Sequence, residues 1–117
     1  MTDFDELSKA IQQFIEERDW KQFHKPKDCA ISLTLEAAEV AELFQWKNDE
    51  QMEAMKKQGE KQDALADELS DVLFWVLALA HDFHIDLKPA FMTKLAKSAK
   101  KYPVEKAKGN NRKYTEY

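Results

Sequence analysis

The sequence predicts an all-α protein, a domain of four-helix-bundle type with a short basic C-terminal tail. Three observations predict it. Two glycines and three prolines in 117 residues leave too few turn residues for a meander of short strands. Apolar side chains recur at three- and four-residue spacing over long stretches, which is the helical period. The longest apolar run, Val72 to Ala80, lies inside a longer helical pattern and is far shorter than the roughly 20 residues a membrane span requires. Hydrophobic residues make up 44% and aromatics 11% of the chain, enough to build a core and to exclude a disordered chain. The length fits one domain, residues 1–117.

Each element has its own justification. Phe4, Leu7, Ile11, Phe14 and Ile15 form one stripe, so a first helix is predicted from Phe4 to Arg18, with Asp3 or Asp5 as its cap. Asp19 to Lys27 breaks the pattern around Pro26; its two bulky aromatics and a histidine are unusual for a connection and are expected to border a pocket. Asp28 is expected to cap a second helix, Cys29 to about Trp46. Ile31 to Leu35 alternates like a strand, but the helical pattern continues well past strand length. Residues 47–60 are polar and read as a loop or short helix. A third helix is predicted from Lys61 to His84, buried on most sides through its apolar middle. A fourth follows Asp86, with Pro89 in its first turn, and stops near Lys101 before Pro103. The last residues are expected to be irregular around Gly109.

Charge is distributed unevenly. Residues 1–93 carry 10 basic and 20 acidic side chains, a balance of −10, and residues 94–117 carry 8 and 2, a balance of +6. An acidic body suits divalent cations and a basic tail suits phosphates. Duplex nucleic acid is a poor partner for so acidic a body. The N-terminus has no basic region followed by an apolar stretch, so no secretion signal is expected and a cytoplasmic protein without membrane partners is the default. The single cysteine, Cys29, excludes an internal disulfide and a multi-cysteine zinc site.

The most informative feature is a pair of pairs: Glu36-Ala-Ala-Glu39 on the second helix and Glu68-Leu-Ser-Asp71 on the third. Three-residue spacing puts both acids of each pair on one helix face. Packed together, the two helices would converge four carboxylates on one point, where like charges repel. A hard cation with oxygen ligands removes the conflict, and Mg²⁺ or Mn²⁺ suits carboxylates better than zinc does. The bland alternative is two amphipathic helices with acidic outer faces. Against it, Leu43 and Trp46 continue the face of Glu36 and Glu39, and Trp75 continues that of Glu68 and Asp71. A di-iron bundle would need Glu-x-x-His pairs, and none exists. No P-loop or nucleophile elbow is present. His81 and His84 read as surface or packing residues at a helix end, and Cys29 as a packing residue rather than a nucleophile.

The strings ERDWKQFHKPKD, LEAAEVAELFQWK, DELSDVLFWVLALA, KKYP and RKYTE resemble the all-α nucleoside triphosphate pyrophosphatases of the MazG-like superfamily, and within it the dCTP pyrophosphatase group. The resemblance runs from about Leu7 to Glu116. It implies Mg²⁺-dependent hydrolysis of a nucleoside triphosphate between the α and β phosphates, with dCTP or a 5-modified dCTP as substrate, in a homo-oligomer built as a dimer of dimers. By position it implies Glu36, Glu39, Glu68 and Asp71 as metal ligands, with Glu36 or Glu39 orienting or deprotonating the attacking water. Trp20 and Trp46 match aromatics that enclose the base, and Lys94 a basic residue near the phosphates; Arg112 and Lys113 would join it on the leaving group. Trp75 stands where the animal enzymes carry tyrosine, Ser98 where asparagine is usual, and Ile11 where a histidine lines the pocket; these three positions alter the candidate base readers. The alternative from another class is a non-enzymatic helical module for nucleotide binding or dimerisation, which would not need all four acids.

Overall fold

The structure is a computed structural model and describes residues 2–117. Six α-helices and two 3₁₀ turns make up the described residues, with no strand. The chain divides into two compact units, Met1–His84 and Ile85–Tyr117.

The first unit contains α1 (Asp3–Glu17), α2 (Pro26–Phe44), α3 (Asp49–Met55) and α4 (Gly59–Asp82). Thr2, not Asp3 or Asp5, is the N-cap of α1: its hydroxyl accepts from the Asp5 backbone N–H at 3.1 Å, and the Asp5 carboxylate accepts from the Thr2 N–H at 2.9 Å. This reciprocal box satisfies two of the orphan donors at the helix start. Helix α2 begins at Pro26, three residues before the expected start. Proline at the first helical position lacks an N–H that would be unpaired there, and its fixed φ is already helical; Asp28 thus lies within the first turn. The segment 47–60 resolves into α3, capped by a second reciprocal box between Asn48 and Gln51.

The dominant packing is α2 against α4, with α1 laid on α4 and α3 touching its start. The buried core is small: Ile15 of α1, Cys29 of α2, Met55 of α3, and Leu77, Ala78 and Ala80 of α4. Burial of α4 is therefore deepest at its C-terminal end, while Val72 to Val76 are half-buried. No helix among the described residues is long and apolar enough to cross a membrane.

The second unit contains α5 (Leu87–Lys101), α6 (Val104–Ala107) and a final 3₁₀ turn at Tyr114–Glu116. The tail is irregular around Gly109, as expected, with α6 before it and the 3₁₀ turn after it. Tyr102 packs edge-on against Tyr114 and Tyr117, with ring centroids 5.8 and 6.1 Å apart. Lys101 sits over the Tyr114 ring at 4.9 Å and Arg112 over Tyr117 at 5.8 Å, contacts that favour cations over aromatic faces.

Candidate metal and nucleotide site

Helices α2 and α4 run antiparallel, and their mid-points carry the four acids. One carboxylate oxygen from each of Glu36, Glu39, Glu68 and Asp71 lies within 4.8 Å of the other three. No Lys, Arg or His forms an ion pair with them among the described residues. Oε2 of Glu36 and Oε2 of Glu68 are buried without a hydrogen-bond partner, a costly state for a carboxylate.

The charges report the same conflict. Glu68 is pushed up to about 7, first by sharing a proton with Glu39, then by desolvation and by the charges of Glu39, Asp71 and Glu36. Glu36 is also raised, by desolvation first and then by Glu39 and Asp71. Four oxygen donors, two of them buried without partners, fit a hard divalent cation. Binding it would displace the shared proton and satisfy the unpaired oxygens together.

Beyond the quartet the helix pair has two chemically different ends. Toward the C-terminus of α4, Trp75 lies one turn after Asp71. It meets His24 edge-on at 5.0 Å and Phe74 at 5.0 Å. Phe74 meets Phe14 at 6.1 Å, Phe14 meets Trp20 at 5.7 Å, and Trp20 returns to His24 at 6.3 Å. Five rings from α1, the 19–25 connection and α4 thus close a circuit. Trp20 keeps 41% of its surface exposed, while Trp75 is half-buried. His24 was visible in sequence only as an unusual residue on a connection; its place between two tryptophans, and the part played by Phe14 and Phe74, needed the packing. The Nδ1 of His24 is buried without a partner. Behind it, a cavity of about 170 Å³ is lined by Cys29, His81, Asp82 and His84 among others. Burial first, then Asp82 and Asp28, raise the Cys29 thiol, so it stays protonated and packs.

The opposite end carries Trp46. It does not continue the face of Glu36 and Glu39 as expected, because α2 stops at Phe44 and Gln45 turns out of the helix. Trp46 follows with φ 68°, a left-handed conformation that costs a side-chain-bearing residue about 1–2 kcal/mol. Its indole is 91% exposed and shares a pocket with Lys61. Lys61 and Trp75 are about 21 Å apart along α4 at helical rise. One chain therefore brings Trp20 to Trp75 but does not bring Trp46 to either. In the second unit, Lys94 and Ser98 lie one turn apart on α5, and Arg112 and Lys113 directly precede the last turn. The Arg112 backbone N–H donates to Asn110 Oδ1 at 3.0 Å.

Comparison with known proteins agrees with this arrangement. The model of the MazG-like family matches residues 31–117. The dCTP pyrophosphatases 1 of Rattus norvegicus and Homo sapiens are 39% and 38% identical over 112 residues, 96% of this chain and 66% of theirs; the chain thus spans just under two thirds of these relatives. A crystal structure of a pyrophosphatase from Archaeoglobus fulgidus superposes with a TM-score of 0.78 at 31% identity, covering 88% of this chain and 94% of that one. The acidic pairs Glu36/Glu39 and Glu68/Asp71 both fall inside the matched region, and on that match the chain belongs to the MazG-like family.

Proposed function

We propose that the protein is a Mg²⁺-dependent nucleoside triphosphate pyrophosphatase, a single MazG-like nucleotide pyrophosphohydrolase domain over residues 1–117. In this reading it acts in the cytoplasm on dCTP or a 5-modified dCTP and releases the monophosphate and pyrophosphate. The observation that carries this is the carboxylate quartet, converged within 4.8 Å with two buried unpaired oxygens, set one turn from an aromatic circuit. The names of the relatives support the substrate class.

Glu36, Glu39, Glu68 and Asp71 would hold the cation, which when bound supplies charge neutralisation for the triphosphate and its transition state. Glu36 or Glu39 orients a water and takes its proton. The water oxygen joins the α phosphorus, the bond from that phosphorus to the α–β bridging oxygen opens in line, and the electron pair leaves with pyrophosphate. Trp20, Trp46 and Trp75 are proposed to contact the base. Lys94, Ser98, Arg112 and Lys113 are proposed to contact the nucleotide from the second unit's sequence. A homo-oligomer, a dimer of dimers, is part of the same proposal; the exposure of Ile31 and Leu35 on α2 and Leu69 on α4, 47%, 61% and 51%, is compatible with burial against another copy.

The test is a panel of nucleoside triphosphates incubated with the protein and Mg²⁺ in ¹⁸O-labelled water. The monophosphate should carry the label and pyrophosphate should be unlabelled. A diphosphate and orthophosphate as first products would refute the assignment.

A further inference from the structure

All three histidines of the chain border one space, the cavity of about 170 Å³ behind the aromatic circuit. They reach it from distant parts of the sequence: His24 from the 19–25 connection, His81 from the last turn of α4, and His84 from just beyond that helix. The left-handed backbone at His84 (φ 55°) ends α4 and keeps this residue beside the cavity that His81 lines. None of these groups serves the proposed reaction. The Nδ1 of His24 is buried without a hydrogen-bond partner, which costs free energy unless a ligand engages it. His81, Asp82 and His84 form no ion pair among the described residues, and all three are exposed, so their side chains can change rotamer. Asp82 is the one carboxylate in the lining and Lys21 the one ammonium; Lys21 is exposed, and its long stem lets the charge stay in water.

We propose that this cavity is a second metal site, for Zn²⁺, held by the imidazoles of His24, His81 and His84 with the Asp82 carboxylate. Imidazole nitrogens with one carboxylate suit a borderline cation such as zinc, and three or four such donors complete its tetrahedral shell. Mg²⁺ prefers oxygen donors throughout, and an anion would meet Asp82. The site is separate from the quartet, because His81 lies about 15 Å beyond Asp71 along α4 at helical rise. The quartet is the set of donors already converged within 4.8 Å. The histidines instead surround a common space, and an ion draws them together by rotation of the two exposed rings. Bound there, zinc ties the 19–25 connection to the C-terminal end of α4, elements that His24 otherwise joins through its edge-on contact with Trp75. Cys29, buried at the same cavity, remains a packing thiol. The inference goes beyond the function proposed above and does not depend on the substrate.

Calorimetric titration of the full chain with Zn²⁺, in excess Mg²⁺ and without nucleotide, measures the site directly. The Asp71→Asn variant should keep it. The His81→Gln/His84→Gln variant should bind zinc at least about tenfold more weakly, and lose the rise in melting temperature that zinc gives the wild type. Its circular dichroism and its Mg²⁺-dependent turnover should be unchanged. His24→Gln should weaken zinc binding as well, which a pair of surface histidines acting alone would not require. X-ray absorption of the one-to-one zinc complex should show imidazole scattering with donors at about 2.0–2.2 Å, a readout that needs no variant to fold. Absence of saturable zinc binding, wild-type affinity in the double variant or in His24→Gln, loss of zinc in Asp71→Asn, or a zinc shell without imidazole would each overturn the site.

Discussion

Metal binding by the quartet should depend on pH, with a slope set by one shared proton. Glu68 is held at about 7 instead of the 4.5 of a free carboxyl, first through its proton shared with Glu39. A cation needs that group ionised. With a midpoint near 7, about one molecule in eleven is ionised at pH 6 and about ten in eleven at pH 8, so apparent Mg²⁺ affinity should rise about tenfold between them. Isothermal titration calorimetry in two buffers of different ionisation heat measures both the affinity and the proton released. Glu68→Gln should flatten the dependence while weakening binding, which assigns the dependence to Glu68. The sign extends to stability. A carboxyl raised in the folded state keeps its proton better there than in the unfolded chain, so metal-free stability should be greatest below about pH 4.5 as far as this group is concerned. That contribution should then fall as pH rises toward and through 7. Without metal, Glu68→Gln should therefore melt higher than wild type at pH 8. Mg²⁺ affinity that is level from pH 6 to 8 with no proton release would refute the shared-proton account.

Other outcomes follow from the same geometry. Glu39→Gln and Asp71→Asn should each abolish turnover while leaving the helical circular dichroism intact, since each removes a proposed cation ligand from the quartet without changing its shape. Trp20→Ala should cost about 1–3 kcal/mol in transition-state binding, read as kcat/KM on the preferred triphosphate. Leu77→Ala, at a site 4% exposed where α1 packs on α4, should cost about 2–5 kcal/mol by urea unfolding. Trp46→Gly should be about 1 kcal/mol more stable than Trp46→Ala, because glycine accepts the left-handed backbone there without penalty; equal stabilities would show that φ 68° stores no strain.

The sequence alone determined the four long helices and the shared face of each acidic pair. Apolar spacing of three and four, with few glycines and prolines, leaves little but helix, and acids three apart on a helix must share a face whatever the helix packs against. That is local geometry, carried by the chain itself. The starts of helices were less legible: Pro26 and Thr2 displaced Asp28 and Asp3 or Asp5 as start signals, because several neighbouring residues satisfy the same backbone donors and small energies choose between them. The arrangement of the aromatics was not legible at all. Trp46 reads as a continuation of the acidic face of α2, and it leaves that face because the helix ends two residues earlier and the backbone turns left-handed. Whether Trp20 meets Trp75 or Trp46 depends on the antiparallel register of α2 on α4 and on the path of the 19–25 connection, contacts between residues distant in the chain. The same register sets Lys61 near Trp46 and His24 against Trp75, and so gives the carboxylate quartet an aromatic end and a cationic one.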